Sequence, residues 1–203
     1  MNRVIVYIDG FNLYFGLKSK NWKRFYWLNL QKLAQNLLSA DQVLIRTKYF
    51  TSRISLPPDK AKRQSIFIDA LMTLTDFDIF YGHYQANTIT CYRCQNIISK
   101  PNEKMTDVNI AVEMLCDTFG DCYDTAILVS GDSDLLGPIQ KIRSLFPQKR
   151  IVLAFPPDRF SFALKTAASA YFMIGRKKFA DSLFPDQVVD NSGFVLTKPV
   201  EWL

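Results

Sequence analysis

Residues 125–134 read TAILVSGDSD, in which a run of five uncharged residues is followed, after Ser130 and Gly131, by two carboxylates. The run at 125–129 is typical of a strand that is buried on both faces of a parallel sheet. Asp132 and Asp134 lie three and five residues beyond its end. Two interpretations are open: a turn in which Asp134 caps the next helix and Asp132 is solvated, or half of a metal site.

The rest of the chain alternates between strand and helix patterns. Strand-like runs occur at 4–8, 42–50, 77–81, 125–129 and 150–155, of which the run at 42–50 contains several polar residues, with a further short run at 170–174. Helical periodicity occurs at 28–38, 59–74, 105–119, 135–146 and 160–168. Strands that alternate with helices of this length predict βαβ crossovers, and hence an α/β fold with a mainly parallel sheet that helices cover on both faces.

The length of 203 residues predicts one domain with one sizeable core. We expect that domain to span residues 1–181. Residues 82–104 interrupt the alternation and predict an inserted hairpin or loop. Residues 182–203 have the pattern of an extended C-terminal tail, with one short strand at 193–197.

Composition narrows the class of protein. A hydrophobic content of 48% with 22% charged residues is typical of a soluble globular chain. No run approaches the roughly 18 apolar residues of a membrane helix, and the first apolar run is too short for a secretory signal, so we expect a cytoplasmic protein without membrane contact. A net charge of +6 favours polyanionic partners such as nucleic acid.

Carboxylates occur at the ends of two predicted strands and at the start of one helix. Asp9 follows the first strand, Asp107 opens the helix at 105–119, and Asp132 and Asp134 end the strand at 125–129. In a parallel sheet these segments can converge on one edge, where ligands of such sheets bind. Four converging carboxylates repel one another unless a cation such as Mg²⁺ or Mn²⁺ binds them, and that arrangement suits phosphodiester hydrolysis.

Each carboxylate also has a purely structural interpretation. Asp9 and Gly10 form a common turn sequence after a strand. Asp107 can stabilise a helix N-terminus that Thr106 caps. Both alternatives stay open on local sequence alone.

Three sequence blocks carry a resemblance to a known family. They are VYIDGFNLY at 6–14, EKMTDVNIAVE at 103–113 and LVSGDSDL at 128–135. In this order they resemble the signature blocks of the NYN domain family, the branch of PIN-like nucleases that includes LabA-type bacterial proteins, and the resemblance spans residues 3 to about 175. It implies a PIN-like three-layer sandwich, Mg²⁺ or Mn²⁺ held by the four aspartates at 9, 107, 132 and 134, and ribonuclease activity.

Polar residues within the blocks have implied roles near the same site. Asn12, Ser130 and Ser133 match family positions that surround the acids and would support them or contact phosphate. Lys104 would contact substrate phosphate, although a solvated lysine is an equally simple interpretation. The blocks contain no histidine, and His83 is the only one in the chain. This disfavours an acid/base mechanism that depends on histidine.

Cys91 and Cys94 form a CxxC motif within the predicted insertion. Such a turn can present two thiolates to Zn²⁺, but a closed structural site needs four ligands and the chain has no second CxxC. A zinc site, which a second copy in a homodimer could complete, and a pair of unligated thiols are the two interpretations left open.

Aromatic and basic residues follow the first acid closely. Phe11, Tyr14 and Phe15 could stack on nucleobases or pack in the core. Basic residues form three groups, each of which is either a solvated helix face or a contact for phosphates: Lys18, Lys20, Lys23 and Arg24; Lys60, Lys62 and Arg63; and Arg176, Lys177 and Lys178.

The residues and the resemblance together predict a metal-dependent nuclease that hydrolyses single-stranded RNA, with RNA favoured over DNA. The alternative is a non-catalytic module that binds RNA or protein through the same acidic pocket. A phosphomonoesterase is a third hypothesis, although its covalent form usually has a DxD motif after the first strand, where this chain has Asp9-Gly10-Phe11.

Overall fold

A computed structural model describes the backbone of residues 1–203 and the side chains of residues 1–83, 90–96 and 104–203. Its centre is a six-stranded sheet in which every neighbouring pair is parallel, with the strand order β3-β2-β1-β6-β7-β8. The strands of this sheet are β1 (Asn2–Asp9), β2 (Gln42–Thr51), β3 (Phe77–Tyr81), β6 (Thr125–Val129), β7 (Arg150–Phe155) and β8 (Ala170–Met173). The predicted α/β class and parallel sheet are confirmed.

Helices cover both faces of the sheet. They are α1 (Gly10–Ser19), α2 (Leu30–Leu37), α3 (Pro58–Leu71), α4 (Thr106–Phe119), α5 (Leu136–Leu145), α6 (Phe162–Ala167) and α7 (Arg176–Ala180). Val4, Val6 and Ile8 of β1 share a core with α1, α2, α3 and α7, whereas Ile5 and Tyr7 share the opposite core with α4, α5 and α6. The two-residue alternation of a strand therefore divides β1 between two apolar layers, as a three-layer sandwich requires.

The predicted insertion is a hairpin. Strands β4 (His83–Thr90) and β5 (Ile97–Lys104) pair antiparallel as a separate two-stranded sheet. Met105 follows β5 with a φ of 78°, which turns the chain from the hairpin into α4. The hairpin therefore starts beyond the carboxyl end of β3 and ends at the N-terminus of α4.

The C-terminal residues are more ordered than an extended tail. Residues 182–203 contain β9 (Gln187–Val189), which pairs antiparallel with β10 (Val195–Thr197), and a terminal 3-10 turn (Val200–Trp202). Phe184 is buried in the core, and the indole N–H of the fully buried Trp27 donates to the Pro185 carbonyl at 2.7 Å. This segment thus completes the apolar layer on the α1 side. None of the described helices combines the length and apolar character needed to cross a bilayer.

An ion pair joins the amino ends of the two central strands. Arg3 of β1 donates to the Asp124 carboxylate from its backbone N–H at 2.8 Å and from its guanidinium at 2.8 Å. These hydrogen bonds, the guanidinium ones foremost, lower the pKa of Asp124 to about 2. The ionised form of Asp124 is therefore favoured in the folded state, and its stabilising effect is lost as the pH falls through that value.

We expect Asp124→Asn to lower the free energy of unfolding at pH 6 and to flatten its pH dependence between about pH 4 and pH 2, because an amide cannot lose a charge there. Urea unfolding at each pH measures both effects. Asp181→Asn is the matched control, since Asp181 is exposed and forms none of the ion pairs between described side chains. Equal acid sensitivity of wild type and Asp124→Asn would contradict the assignment.

Candidate active site

The site lies where the strand order reverses. From β1 the chain continues outward to β2 and β3 on one side, and β6 to β8 lie on the other, so β1 and β6 flank the switch point of the sheet. Ligands of open parallel sheets bind in the crevice beyond the carboxyl ends of the strands at this point. Asp9 ends β1, and Asp132 follows the end of β6.

Asp9 is 2% exposed and caps helix α1. One of its carboxylate oxygens accepts from the Asn12 backbone N–H at 3.0 Å, and the other accepts from the Ser130 hydroxyl at 2.8 Å. Burial raises its pKa most strongly, the two hydrogen bonds oppose this, and the charge of Asp132 raises it further. Asp9 and Asp132 are therefore close enough for their charges to interact.

Two hydrogen-bonded links hold the loop after β6 against the start of α1. The hydroxyl of the buried Ser130, which donates to Asp9, also accepts from the Asp132 backbone N–H at 3.0 Å. The Asn12 side-chain oxygen accepts from the Gly131 backbone N–H at 3.1 Å. Asn12 and Ser130, both predicted from the sequence, thus fix how the two strand ends meet.

The cap residues predicted locally for the turn after β6 and for α4 are wrong. Asp132, not Asp134, is the cap after β6: its carboxylate accepts from the Asp134 backbone N–H at 3.1 Å and opens the 3-10 turn Ser133–Leu135. Thr106 does not cap α4 either, because Met105 occupies the cap position and makes no side-chain capping hydrogen bond. The chain turns at Met105 with positive φ, which shifts the helix start by one residue.

The remaining acids lie at the same edge but do not complete a cluster. Asp107 is half-buried in the first turn of α4, whose N-terminus lies at the carboxyl edge because the helix runs back toward the start of β6. Asp134 is exposed. Among the described side chains, no three acids, thiols or imidazoles are close enough together to hold one metal ion. The four-aspartate metal site stays a prediction.

Three of the acids at this edge have no ion-pair partner among the described side chains. Ion pairs between described side chains involve neither Asp9, Asp132 nor Asp134. A buried carboxylate beside a second carboxylate is unfavourable unless protons or cations compensate it. The donor set, carboxylate oxygens at an edge open to solvent, fits the oxygen preference of Mg²⁺ and Mn²⁺.

Arg159 is a cation near the site that the sequence did not single out. Its guanidinium lies 5.8 Å from the centre of the Phe15 ring of α1, and its Nε atom is buried without a hydrogen-bond partner among the described residues. A Cβ atom added at Gly131 would lie 2.6 Å from the Arg159 carbonyl oxygen. Arg159 therefore belongs to a segment packed between α1 and the acidic loop, a proximity that no sequence spacing indicates.

The other predicted residues are placed as follows. Ser133 and Lys104 are both exposed, the first at the start of the 3-10 turn and the second at the end of β5. Cys91 and Cys94 lie between the hairpin strands as free thiols, and backbone hydrogen bonds from Cys94 and Arg93 lower the pKa of Cys91. No third ligand groups with them among the side chains that the structure describes, and zinc at this pair stays a prediction.

Comparison with known proteins shows which family shares this architecture. A family model for the NYN domain matches residues 3–175. The chain belongs to the NYN domain family. This family is part of the PIN-like nuclease superfamily, so the predicted family and PIN-like fold are confirmed.

Two individual proteins are similar to this NYN domain. A crystal structure of a protein of unknown function, VPA0982 from Vibrio parahaemolyticus, superposes with a TM-score of 0.56 at 16% identity and covers 90% of this chain and 96% of that one. The 6-hydroxy-3-succinoylpyridine 3-monooxygenase HspA of Pseudomonas putida is 28% identical over an alignment of 177 residues, and the match covers 70% of this chain. The match spans 56% of that relative's length.

Proposed function

We propose that this protein is a divalent-metal-dependent nuclease that hydrolyses phosphodiester bonds in single-stranded RNA. The observation that carries the proposal is the junction at the switch point, where Asp9 and Asp132 interact without a cation among the described side chains. Membership in the NYN family supports nuclease chemistry at this edge. The net charge of +6 supports a polyanionic substrate.

The residues at the junction would hold Mg²⁺ or Mn²⁺ through Asp9 and Asp132, with Asp107 and Asp134 at the same edge. A bound cation there would supply Lewis-acid chemistry, which neutralises phosphate charge and lowers the pKa of water for attack. Ser130 and Asn12 would keep the acids in position through their hydrogen bonds. Arg159 would contribute a positive charge on the α1 side of the junction, where a phosphate of the substrate needs one.

The structure favours this chemistry over the alternatives. Hydrolysis through a histidine is disfavoured because His83, the only histidine of the chain, is exposed at the start of the hairpin rather than at the junction. The monooxygenase named among the similar proteins offers no basis for a substrate here, since it is 28% identical and only 56% of it is matched. A non-catalytic RNA-binding module with the same acids stays the second hypothesis.

We expect the purified protein to cleave end-labelled single-stranded RNA in Mn²⁺ or Mg²⁺ and to lose this activity in EDTA, because the carboxylates repel phosphate until a cation binds. Gel analysis of parallel reactions with single- and double-stranded RNA and DNA measures the preference. Cleavage that persists in EDTA would overturn the metal-dependent mechanism. RNA binding without cleavage under every metal condition would favour the non-catalytic alternative.

A further inference from the structure

A large cavity opens beside the acidic junction, on the α1 side of the sheet. Its volume is about 540 Å³, within the range of small-molecule sites. Gly10, which follows Asp9, forms part of its wall, as does Tyr49 of β2. The charge of Asp9 helps to raise the pKa of Tyr49 to about 12, although burial of the phenol is the larger cause. The cavity therefore adjoins the acids without containing them, and we call it the aromatic cavity.

Aromatic rings from distant parts of the chain line the aromatic cavity. Tyr14 of α1 stacks at a tilt on Tyr26, with ring centres 5.0 Å apart, and Trp202 of the C-terminal turn meets Tyr26 edge to face at 5.8 Å. Tyr14 is 38% exposed, so its ring is accessible to a ligand. Rings gathered at the wall of an open cavity provide stacking surfaces for a planar group.

The charges around the aromatic cavity are predominantly positive. Lys18, Lys23, Lys60 and Arg63 line it, and Glu201 is the one acid among the described lining residues. The Arg63 guanidinium donates to the Glu201 carboxylate at 2.7 Å, and the Glu201 side chain is 54% exposed. A partly exposed ion pair contributes little to stability, so a phosphate can displace Glu201 at small cost.

We propose that the aromatic cavity binds unpaired nucleotides of a single-stranded nucleic acid, with bases against its tyrosines and phosphates at its cations. This inference rests on the proposed function, because the aromatic cavity would guide the RNA substrate toward Asp9. Planar rings with positive charge around them match a nucleotide, whose base is planar and whose phosphate is anionic. A duplex does not fit because its bases are paired and stacked on one another.

The test measures binding separately from cleavage. The Asp132→Asn protein in EDTA is titrated into 3′-fluorescein-labelled hexa-adenylate RNA, and fluorescence anisotropy gives the dissociation constant. We expect Tyr14→Ala and Arg63→Gln, each in this background, to weaken binding about tenfold or more, and Tyr14→Phe to restore it because the stacking ring is kept. Glu201→Gln should tighten binding, since it frees Arg63 for phosphate.

The matched controls are an aromatic and an arginine elsewhere on the surface. Tyr171 on the edge strand β8 is 43% exposed, and Arg150 is exposed at the amino end of β7. Tyr171→Ala and Arg150→Gln should change the affinity less than twofold. Circular dichroism and the melting temperature of each variant establish that it is folded.

Equal binding of a blunt RNA duplex, or unchanged affinity in both Tyr14→Ala and Arg63→Gln, would overturn the proposal. The results that would contradict the nuclease proposal differ from those that would contradict the cavity proposal. A wild-type protein that never cleaves, while the hexamer binding still depends on Tyr14 and Arg63, would leave the nucleotide site standing. Cleavage by a protein whose cavity variants bind normally would remove only the cavity assignment.

Discussion

Replacing Asp132 by asparagine is expected to reduce RNA cleavage at least about 1,000-fold, equivalent to roughly 4 kcal/mol of transition-state stabilisation. The amide keeps the oxygen that accepts from the Asp134 backbone N–H, so the turn after β6 is retained. What is lost is the negative charge that a divalent cation needs beside Asp9. Initial rates on labelled single-stranded RNA in Mn²⁺ measure the effect, and urea unfolding shows that the fold is intact.

Asp41→Asn is the control for this substitution. Asp41 is exposed and directly precedes β2, at the opposite end of the sheet from the junction. We expect its cleavage rate to stay within a factor of two of the wild type. An Asp132→Asn protein that retains more than a tenth of the wild-type rate would place the reaction elsewhere.

Asp9→Asn is a less clean substitution than Asp132→Asn. Both oxygens of the Asp9 carboxylate accept hydrogen bonds, one from the Asn12 backbone and one from the Ser130 hydroxyl. An asparagine offers one acceptor oxygen and one amide that can only donate, so one of these bonds is lost. A decrease in activity would then mix charge removal with displacement of α1.

Gly131→Ala is expected to lower the free energy of unfolding by about 1–3 kcal/mol and to reduce cleavage as well. A Cβ at this position would lie 2.6 Å from the carbonyl oxygen of Arg159, so the acidic loop or the segment that contains Arg159 must move. Any movement of the loop alters the link from the Gly131 N–H to Asn12. Urea unfolding and the cleavage rate together measure the two effects.

Gly137→Ala is the matched control. Gly137 lies in α5, and a Cβ there would meet no atom within 4 Å apart from its chain neighbours and the backbone of its own helix. Alanine is the better helix former, so we expect unchanged or slightly higher stability and unchanged cleavage. If Gly131→Ala were as stable and as active as Gly137→Ala, the close packing of Arg159 on the acidic loop would not constrain the site.

Local pattern predicted most of the central sheet. The runs at 77–81, 125–129 and 150–155 match β3, β6 and β7 residue for residue, because short runs rich in apolar, β-branched and aromatic residues are strong signals for strands. Helix α1 was not predicted. Leu13 and Leu17 are buried on one face, but the rings of Tyr14 and Phe15 between them are exposed on another, so its apolar residues do not form a single helical stripe.

The order of the strands and the meeting of distant residues could not be predicted from local sequence. Ser130 and Asp9 are separated by 121 positions, and their hydrogen bond exists because β1 and β6 are neighbours at the switch point. The contacts of the C-terminal segment could not be predicted for the same reason. Its turn brings Trp202 and Glu201 to the aromatic cavity, whereas the sequence predicted an extended tail with one short strand at 193–197 and no contact with the core.

The sequence by itself determined the parallel α/β class and placed acids at the ends of β1 and β6, because strand periodicity and the residues that end a strand depend on only a few neighbouring positions. Only the tertiary structure decided that the charges of Asp9 and Asp132 interact across the strand ends and that Arg159 lies beside the acidic loop. These relations depend on strand order and side-chain packing between segments far apart in the chain. Neither the strand order nor this packing can be read from the spacing of residues along the sequence.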